Sequence, residues 1–267
     1  MDNRPIGIFD SGVGGLTVAK QVIKVLGNEN IVYFGDTARL PYGSKSKETV
    51  TRFSKQIVRF LLTKDVKAVI IACNTASANS LEELQKTFDI PIFGVVVPGA
   101  SEAVKATKNK KVGIIGTVGT VRTNAYKKLI CDYDSNIEVF SKACPLFVPL
   151  VEEDWTNNEI TRLTAEKYLK ELLDEGIDSL VLGCTHYPLL KQCIGDVVGE
   201  NVKLVDPAKE TALTVKKFLT ENNMLNDSKE ENHHIFYVSD YTEQFDVLCK
   251  KALKKVYKPH VINIESY

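Results

Sequence analysis

The chain is 267 residues long, 44% hydrophobic and 25% charged, a length that buries a substantial core and suits one large α/β unit or two smaller lobes. Its 34 lysines and arginines balance 34 aspartates and glutamates, so no net basic field exists to hold nucleic acid or an anionic membrane surface. No apolar run approaches the roughly 20 residues that span a bilayer, and Met1-Asp2-Asn3-Arg4-Pro5 leads straight into a strand, so the expectation is a soluble cytoplasmic protein.

Strand-like runs alternate with helical patterns from end to end, which predicts α/β architecture with mainly parallel sheets built from βαβ units. The first strand, 5–9, runs into Phe9-Asp10-Ser11-Gly12-Val13-Gly14-Gly15, and a helix follows in which Leu16, Ala19, Val22, Ile23 and Leu26 recur at helical spacing. Glycines at such a turn let a ligand approach the backbone, and a helix N-terminus favours an anion. Thr17 stands where a dinucleotide fingerprint needs its third glycine, and no Gly-Lys pair makes a P-loop, so a carboxylate is the better guest. Asp10 reads either as a cap or as a carboxylate that orients a neighbouring group.

A strand over 31–35 is followed by the loop Asp36 to Pro41, where Tyr42 and Gly43 can hold a small polar ligand. The next helix carries Val50, Phe53, Ile57 and Phe60 or Leu61 on one face. The strand 67–73 ends in Cys73-Asn74-Thr75. Further strands are expected over 91–96, 111–116, 137–143, 179–184 and 202–206. Thr117, Thr120 and Thr123 follow the strand at 111–116 and serve either a polar substrate or helix capping. The strand at 179–184 ends in Cys184-Thr185-His186, ahead of Pro188.

Pro98-Gly99 and Asp206-Pro207 punctuate the chain and predict two related lobes, 1–97 with 208–267 and 98–207. The tail holds a long helix, a polar stretch over 222–232 read as a solvated loop, and strands at 234–239 and 260–264 that complete the first lobe's sheet.

The most informative repetition is the cysteine at the end of two buried strands, because ligands and catalytic side chains gather at the carboxyl ends of parallel strands. Taken singly, each could be an ordinary buried thiol. The six cysteines, 73, 131, 144, 184, 193 and 249, include no CxxC pair, and reduced thiols are expected throughout. A zinc site at Cys184-Thr185-His186 lacks ligands, and no metal is expected. One thiolate and one thiol acting on a carbon that bears an acidic hydrogen form a base and an acid. The first removes a proton from one face and the second delivers one to the other, inverting the centre. A helix N-terminus at each strand-to-helix junction would help hold the thiolate.

At this point the sequence resembles the glutamate racemases of the cofactor-independent amino-acid racemase family. The resemblance is carried by Asp10-Ser11-Gly12-Val13-Gly14-Gly15, Gly35-Asp36 with Pro41-Tyr42-Gly43, Ala72-Cys73-Asn74-Thr75-Ala76, Gly116-Thr117-Val118-Gly119-Thr120, Val151-Glu152 and Gly183-Cys184-Thr185-His186-Tyr187-Pro188. It implies interconversion of L- and D-glutamate for peptidoglycan synthesis, with no pyridoxal phosphate or other cofactor and no metal. It implies two pseudo-symmetric lobes around a buried active site, and a homodimer. By the same resemblance Cys73 is the base toward D-glutamate and Cys184 the base toward L-glutamate. Asp10, Glu152 and His186 support proton transfer, and Asp10-Ser11, Tyr42-Gly43, Asn74-Thr75 and Thr185-His186 bind substrate.

The competing readings are an aspartate or hydantoin racemase, a two-lobed binding protein for small acids, and a nucleotide-dependent enzyme using the first glycine turn. The glycine-fingerprint defects disfavour the last, and a mere binder has no need of two reactive thiols.

Overall fold

The computed structural model describes residues 1–228 and 232–267. The chain divides into two compact units, one formed by residues 1–95 and 208–267 and the other by residues 96–207. In chain order the first unit contributes β1 (Ile6–Asp10), α1 (Leu16–Val25), β2 (Ile31–Gly35), α2 (Lys47–Leu62), β3 (Ala68–Ile71), α3 (Asn74–Thr87) and β4 (Ile92–Gly94). The second holds α4 (Val96–Ala106), β5 (Lys111–Gly116), α5 (Val118–Arg122), α6 (Ala125–Tyr133), β6 (Glu138–Ala143), α7 (Phe147–Glu152), α8 (Glu159–Asp174), β7 (Ser179–Gly183), α9 (Lys191–Val198) and β8 (Lys203–Val205). The chain then returns through α10 (Pro207–Glu221), β9 (His234–Val238), α11 (Glu243–Leu253) and β10 (His260–Val261).

Each unit is built on its own parallel sheet, ordered β10-β9-β2-β1-β3-β4 in the first and β6-β5-β7-β8 in the second. The apolar runs that announce the strands are buried along their whole length in β1, β2, β3 and β7, as expected of parallel strands with helices on both faces. Helix α2 begins at Ser46, whose side chain accepts from the Thr49 N–H, and buries Val50, Phe53, Ile57, Phe60 and Leu61 against the first sheet. Each such side chain contributes about 1.5–3 kcal/mol by leaving water.

In both sheets the strand order reverses beside the first strand of the unit. From β1 the chain proceeds to β2 on one side and to β3 on the other; from β5 it proceeds to β6 on one side and β7 on the other. Such a reversal opens a crevice at the carboxyl ends of the two strands it separates, the usual ligand position in open α/β sheets. Asp10 and Cys73 end or follow the strands at the first reversal, and Thr117 and Cys184 those at the second.

Three expectations need correction. Pro98 and Gly99 lie inside the first turn of α4 rather than in a linker, a position where proline costs no hydrogen bond. Gly99 is there for space, since a Cβ would come within 2.9 Å of the Pro207 ring. The helix α11 was not expected between the last two strands, although Phe245, Leu248, Cys249 and Ala252 carry a helical apolar spacing and are all buried. The stretch read as a solvated loop is partly structural. Asn226 is buried, its N–H donating to Glu29 Oε1 at 2.9 Å and its side-chain amide to the Asn28 carbonyl at 2.8 Å. Lys229, Glu230 and Glu231 of that stretch lie outside the described residues.

Candidate active site

In the first unit Cys73 is 5% exposed and caps α3, its Sγ accepting from the Ala76 N–H at 3.5 Å. The thiol therefore lies at the positive end of a 14-residue helix, where partial charge favours a thiolate. Its S–H points to Ser11 Oγ at 3.5 Å. Ser11 is brought there by the turn after β1. Asp10 is fully buried and its Oδ2 accepts from the Gly12 N–H at 3.0 Å, while Tyr33 Oη donates to the Gly12 carbonyl at 2.9 Å. Burial, reinforced by Asp10, holds the Tyr33 hydroxyl well above its ordinary pKa, so it stays a donor.

The structure changes the account of the glycine turn. The N–H groups of Leu16, Thr17 and Val18 donate at 3.2, 3.0 and 3.0 Å to the carbonyls of Val13, Gly14 and Gly15, so the first turn of α1 satisfies itself instead of waiting for an anion. Gly15 has φ −60° and needs no glycine for its backbone. Its role is space: a Cβ there would sit 2.4 Å from Asp10 Cβ and 2.9 Å from Tyr33 Oη. The N-cap position of α1 is Gly15, and the Asp10 carboxylate accepts from the Gly12 N–H in the turn before it.

Tyr42 is buried and its hydroxyl donates to the Asp36 carboxylate. Asp36 also takes Arg39 Nε at 2.8 Å and Ser239 Oγ–H at 2.8 Å, which fixes the turn that carries Gly43. Tyr42 can thus offer a ligand its backbone but not a free hydroxyl. Asp36 has no role that spacing announces; in sequence it is marked only as an acid directly after an apolar strand. Asn74 and Thr75, both buried, form the first turn of α3 beside Cys73.

In the second unit Cys184 is 6% exposed, with Sγ 3.9 Å from His186 Nδ1. His186 Nε2 lies 3.3 Å from Glu152 Oε1, at the end of α7. The two atoms are within ion-pair reach without the alignment of a hydrogen bond, and the nearby carboxylate charge favours the tautomer with its proton on Nε2, which leaves Nδ1 as an acceptor for the thiol proton. Carboxylate, imidazole and thiol are in sequence, two of them from one turn and the third from a separate helix.

Cys184 does not cap a helix. A 3-10 turn over Tyr187–Leu190 follows it, and α9 begins only at Lys191. A helix starting at Thr185, as α3 starts at Asn74, would put the Pro188 ring against the Cys184 carbonyl four residues earlier, which proline does not tolerate. The expectation of a helix N-terminus at both thiols is therefore met at Cys73 alone.

Thr117 caps α5, accepting from the Thr120 N–H at 3.1 Å. Thr123 Oγ1 donates to the Thr120 carbonyl at 2.7 Å and accepts from the Ala125 N–H at 3.2 Å. These hydroxyls work as caps along the rim of β5. Thr185 is buried between Cys184 and His186. Among the described residues no helix is long and apolar enough to cross a membrane, and no group of three or more His, Cys, Asp or Glu is placed to hold a metal ion.

Comparison with known proteins bears on the whole of this arrangement. A glutamate racemase of Geobacter metallireducens is 54% identical over 242 residues, covering 91% of this chain and 90% of the relative. One from Thermoanaerobacter pseudethanolicus is 47% identical over the full length of both. Among solved structures, a glutamate racemase from Francisella tularensis in complex with D-glutamate superposes with a TM-score of 0.94 at 40% identity, covering all of both chains. The profile described as Asp/Glu/Hydantoin racemase matches residues 15–215, and with buried thiols closing strands at the switch point of each sheet, the chain belongs to that racemase family.

Proposed function

We propose that this protein interconverts L- and D-glutamate without a cofactor, using Cys73 and Cys184 as the two acid–base groups. The observation that carries the reading is the pair of buried thiols, one at the switch point of each sheet and each with its own polar support. Glutamate as substrate is supported by the relatives, named as glutamate racemases over most of their length, one of them solved with D-glutamate.

With D-glutamate, the Cys73 thiolate takes the α-proton and the Cys184 thiol returns one to the opposite face of the carbanion. With L-glutamate the roles exchange. The dipole of α3 favours charge on Cys73, and Ser11 holds the thiol in place. His186, oriented by Glu152, accepts the Cys184 proton when that thiol must become the base. Asp10 sets the turn that delivers Ser11. Donors around the substrate, among them Asn74, Thr75, Thr185 and the backbone of Ser11 and Gly43, stabilise carbanion charge in a water-poor site.

The same reading makes the product D-glutamate for peptidoglycan, places the enzyme in the cytoplasm, where reduced thiols persist, and gives a homodimer. Cys73 and Cys184 are both free thiols, as the two-base chemistry requires.

The test is to incubate the protein with L-glutamate in deuterated water, with chelator and no pyridoxal phosphate. D-Glutamate carrying α-deuterium is expected, and Cys73→Ala or Cys184→Ala should each remove most of it. Near-normal turnover in either variant would overturn the two-base scheme. Faster exchange with L-aspartate would reassign the substrate within the family.

A further inference from the structure

We propose that Tyr187 is a positioning residue that holds His186 between Cys184 and Glu152; the proposal rests on the two-thiol reading above. Cys184 and His186 share a turn, whereas Glu152 comes from α7, so their alignment depends on what fastens the turn to that helix. Tyr187 makes three contacts, of which one closes the turn, one ties it to the end of the sheet and one reaches that helix. Its N–H donates to the Cys184 carbonyl at 3.1 Å, and its Oη donates to the Cys144 carbonyl at 2.8 Å. Its ring meets Phe147 edge-on, with centroids 5.3 Å apart and planes at 85°.

Each contact leads somewhere useful. Cys144 directly follows β6, and its N–H donates to the Gly116 carbonyl at 2.9 Å, so the Tyr187 hydroxyl ties the turn to the end of the sheet. Phe147 opens α7 and Glu152 closes it, about one and a half helical turns away. Phe147 also meets Tyr168 of α8 edge-on at 5.3 Å, and the Leu146 N–H donates to Tyr168 Oη at 3.3 Å. A row of three rings thus joins α8, α7 and the turn that carries the thiol and the imidazole.

Tyr187 is fully buried, which with the neighbouring thiols raises its hydroxyl well above the ordinary range and keeps it a donor. Burial likewise pushes the Cys144 thiol up to about 12, so it stays neutral beside Cys184 and the link runs through its carbonyl alone. The 3.9 Å between Cys184 Sγ and His186 Nδ1 is at the long end of a sulfur hydrogen bond, where a small rotation of the turn breaks it.

The test compares wild type with Tyr187→Phe, which loses only the hydroxyl, and Phe147→Leu, which loses the ring contact. Turnover should fall about 10- to 100-fold in Tyr187→Phe, the usual cost of a displacement near 1 Å at a reacting group. The loss should fall on the Cys184 proton transfer. The primary isotope effect on kcat/KM should then rise with α-deuterated L-glutamate and shrink with α-deuterated D-glutamate, with Phe147→Leu shifting both in the same sense. A variant that is merely less well folded loses active enzyme and moves neither isotope effect, and that outcome would overturn the proposal. Nitrogen-15 shifts of the His186 ring supply a readout without substrate: Tyr187→Phe should reduce the Nε2–H tautomer, and an unchanged ring would sink the idea. Absence of glutamate racemisation in the wild type would instead remove the reading beneath it, leaving the ring shifts to decide the role of Tyr187.

Discussion

Gly15 shows how much of this site depends on one missing atom. Its backbone is ordinary, yet a methyl group there would overlap Asp10 Cβ at 2.4 Å, with the Tyr33 hydroxyl 2.9 Å away. Neither neighbour can yield cheaply, because Asp10 is fixed to the Gly12 N–H and Tyr33 to the Gly12 carbonyl. Gly15→Ala should therefore cost about 1–3 kcal/mol of stability, the usual range for overpacking. It should also lower turnover by turning Ser11 away from Cys73. Chemical denaturation and racemase assay of the same sample check both; normal turnover would detach the turn from catalysis. At this scale the sequence displays the right residues and an incomplete reason for them. Two cysteines at strand ends, with Asp10, Ser11 and His186 nearby, are visible in one dimension because strand ends and short turns are local. That Gly15 makes room for Asp10 is a contact across a turn, and that Tyr42 spends its hydroxyl on Asp36 is a pairing no spacing rule announces.

The helices and loops at the two thiols differ in kind, although the residues preceding each cysteine look alike. Cys73 opens a helix at once; Cys184 is kept from doing so by Pro188, and the turn left in place of that helix carries His186 to the thiol. The inner strands β1, β2, β3 and β7 were legible because parallel strands buried on both faces are unbroken apolar runs, whereas β6, with Glu138, Ser141 and Lys142, and β10, with both residues exposed, carry a weaker signal. Helix α11 was less legible, since its apolar spacing is set among lysines and acids. Element ends carry their own chemistry. Asp178, just before β7, accepts from Thr107 Oγ1 at 2.6 Å and from the N–H groups of Lys108 and Asn109 at 2.6 and 2.7 Å, closing the loop into β5. Burial raises this carboxyl, but these donors together with its own backbone N–H outweigh it and hold its pKa below the ordinary value. A depressed folded-state pKa contributes stability that is complete above the unfolded pKa, near 4, and is lost as pH falls through the folded value. Asp178→Asn should then lower Tm at pH 7, and the gap to wild type should narrow below about pH 4. A gap that stays constant down to pH 2.5 would show that the charge is not what closes this loop.

The chain leaves its first unit at residue 95 and re-enters at residue 208, so the unit must hold its returning segment by contacts remote in sequence. One buried ion pair does much of this. Lys67 and Glu29 are almost completely shielded from water, with Nζ 2.6 Å from Oε2. The ammonium group also donates to the carbonyls of Asp2 at 2.6 Å and Met224 at 2.7 Å, while Glu29 Oε1 accepts from the Asn226 N–H. One lysine thereby joins the N-terminus, the start of β3 and the segment after α10. Balanced overall charge, read from composition, gives no hint of such a pair, because composition does not say which lysine is buried. Removing one partner strands the other charge in the interior, which typically costs about 3–5 kcal/mol, whereas replacing both with apolar groups of similar size is often near neutral. Glu29→Gln should therefore cause a large fall in the midpoint of denaturant unfolding, and Lys67→Met with Glu29→Leu a smaller one. Lys67 precedes β3 and Cys73 follows it, so the pair lies at the end of the sheet away from the thiol. Turnover measured well below the unfolding transition should accordingly stay near wild type in the double variant. A double variant as unstable as the single one would assign the anchoring to the carbonyl bonds of Lys67 rather than to the ion pair, and lost turnover in folded protein would mean that the returning segment shapes the site as well as the fold.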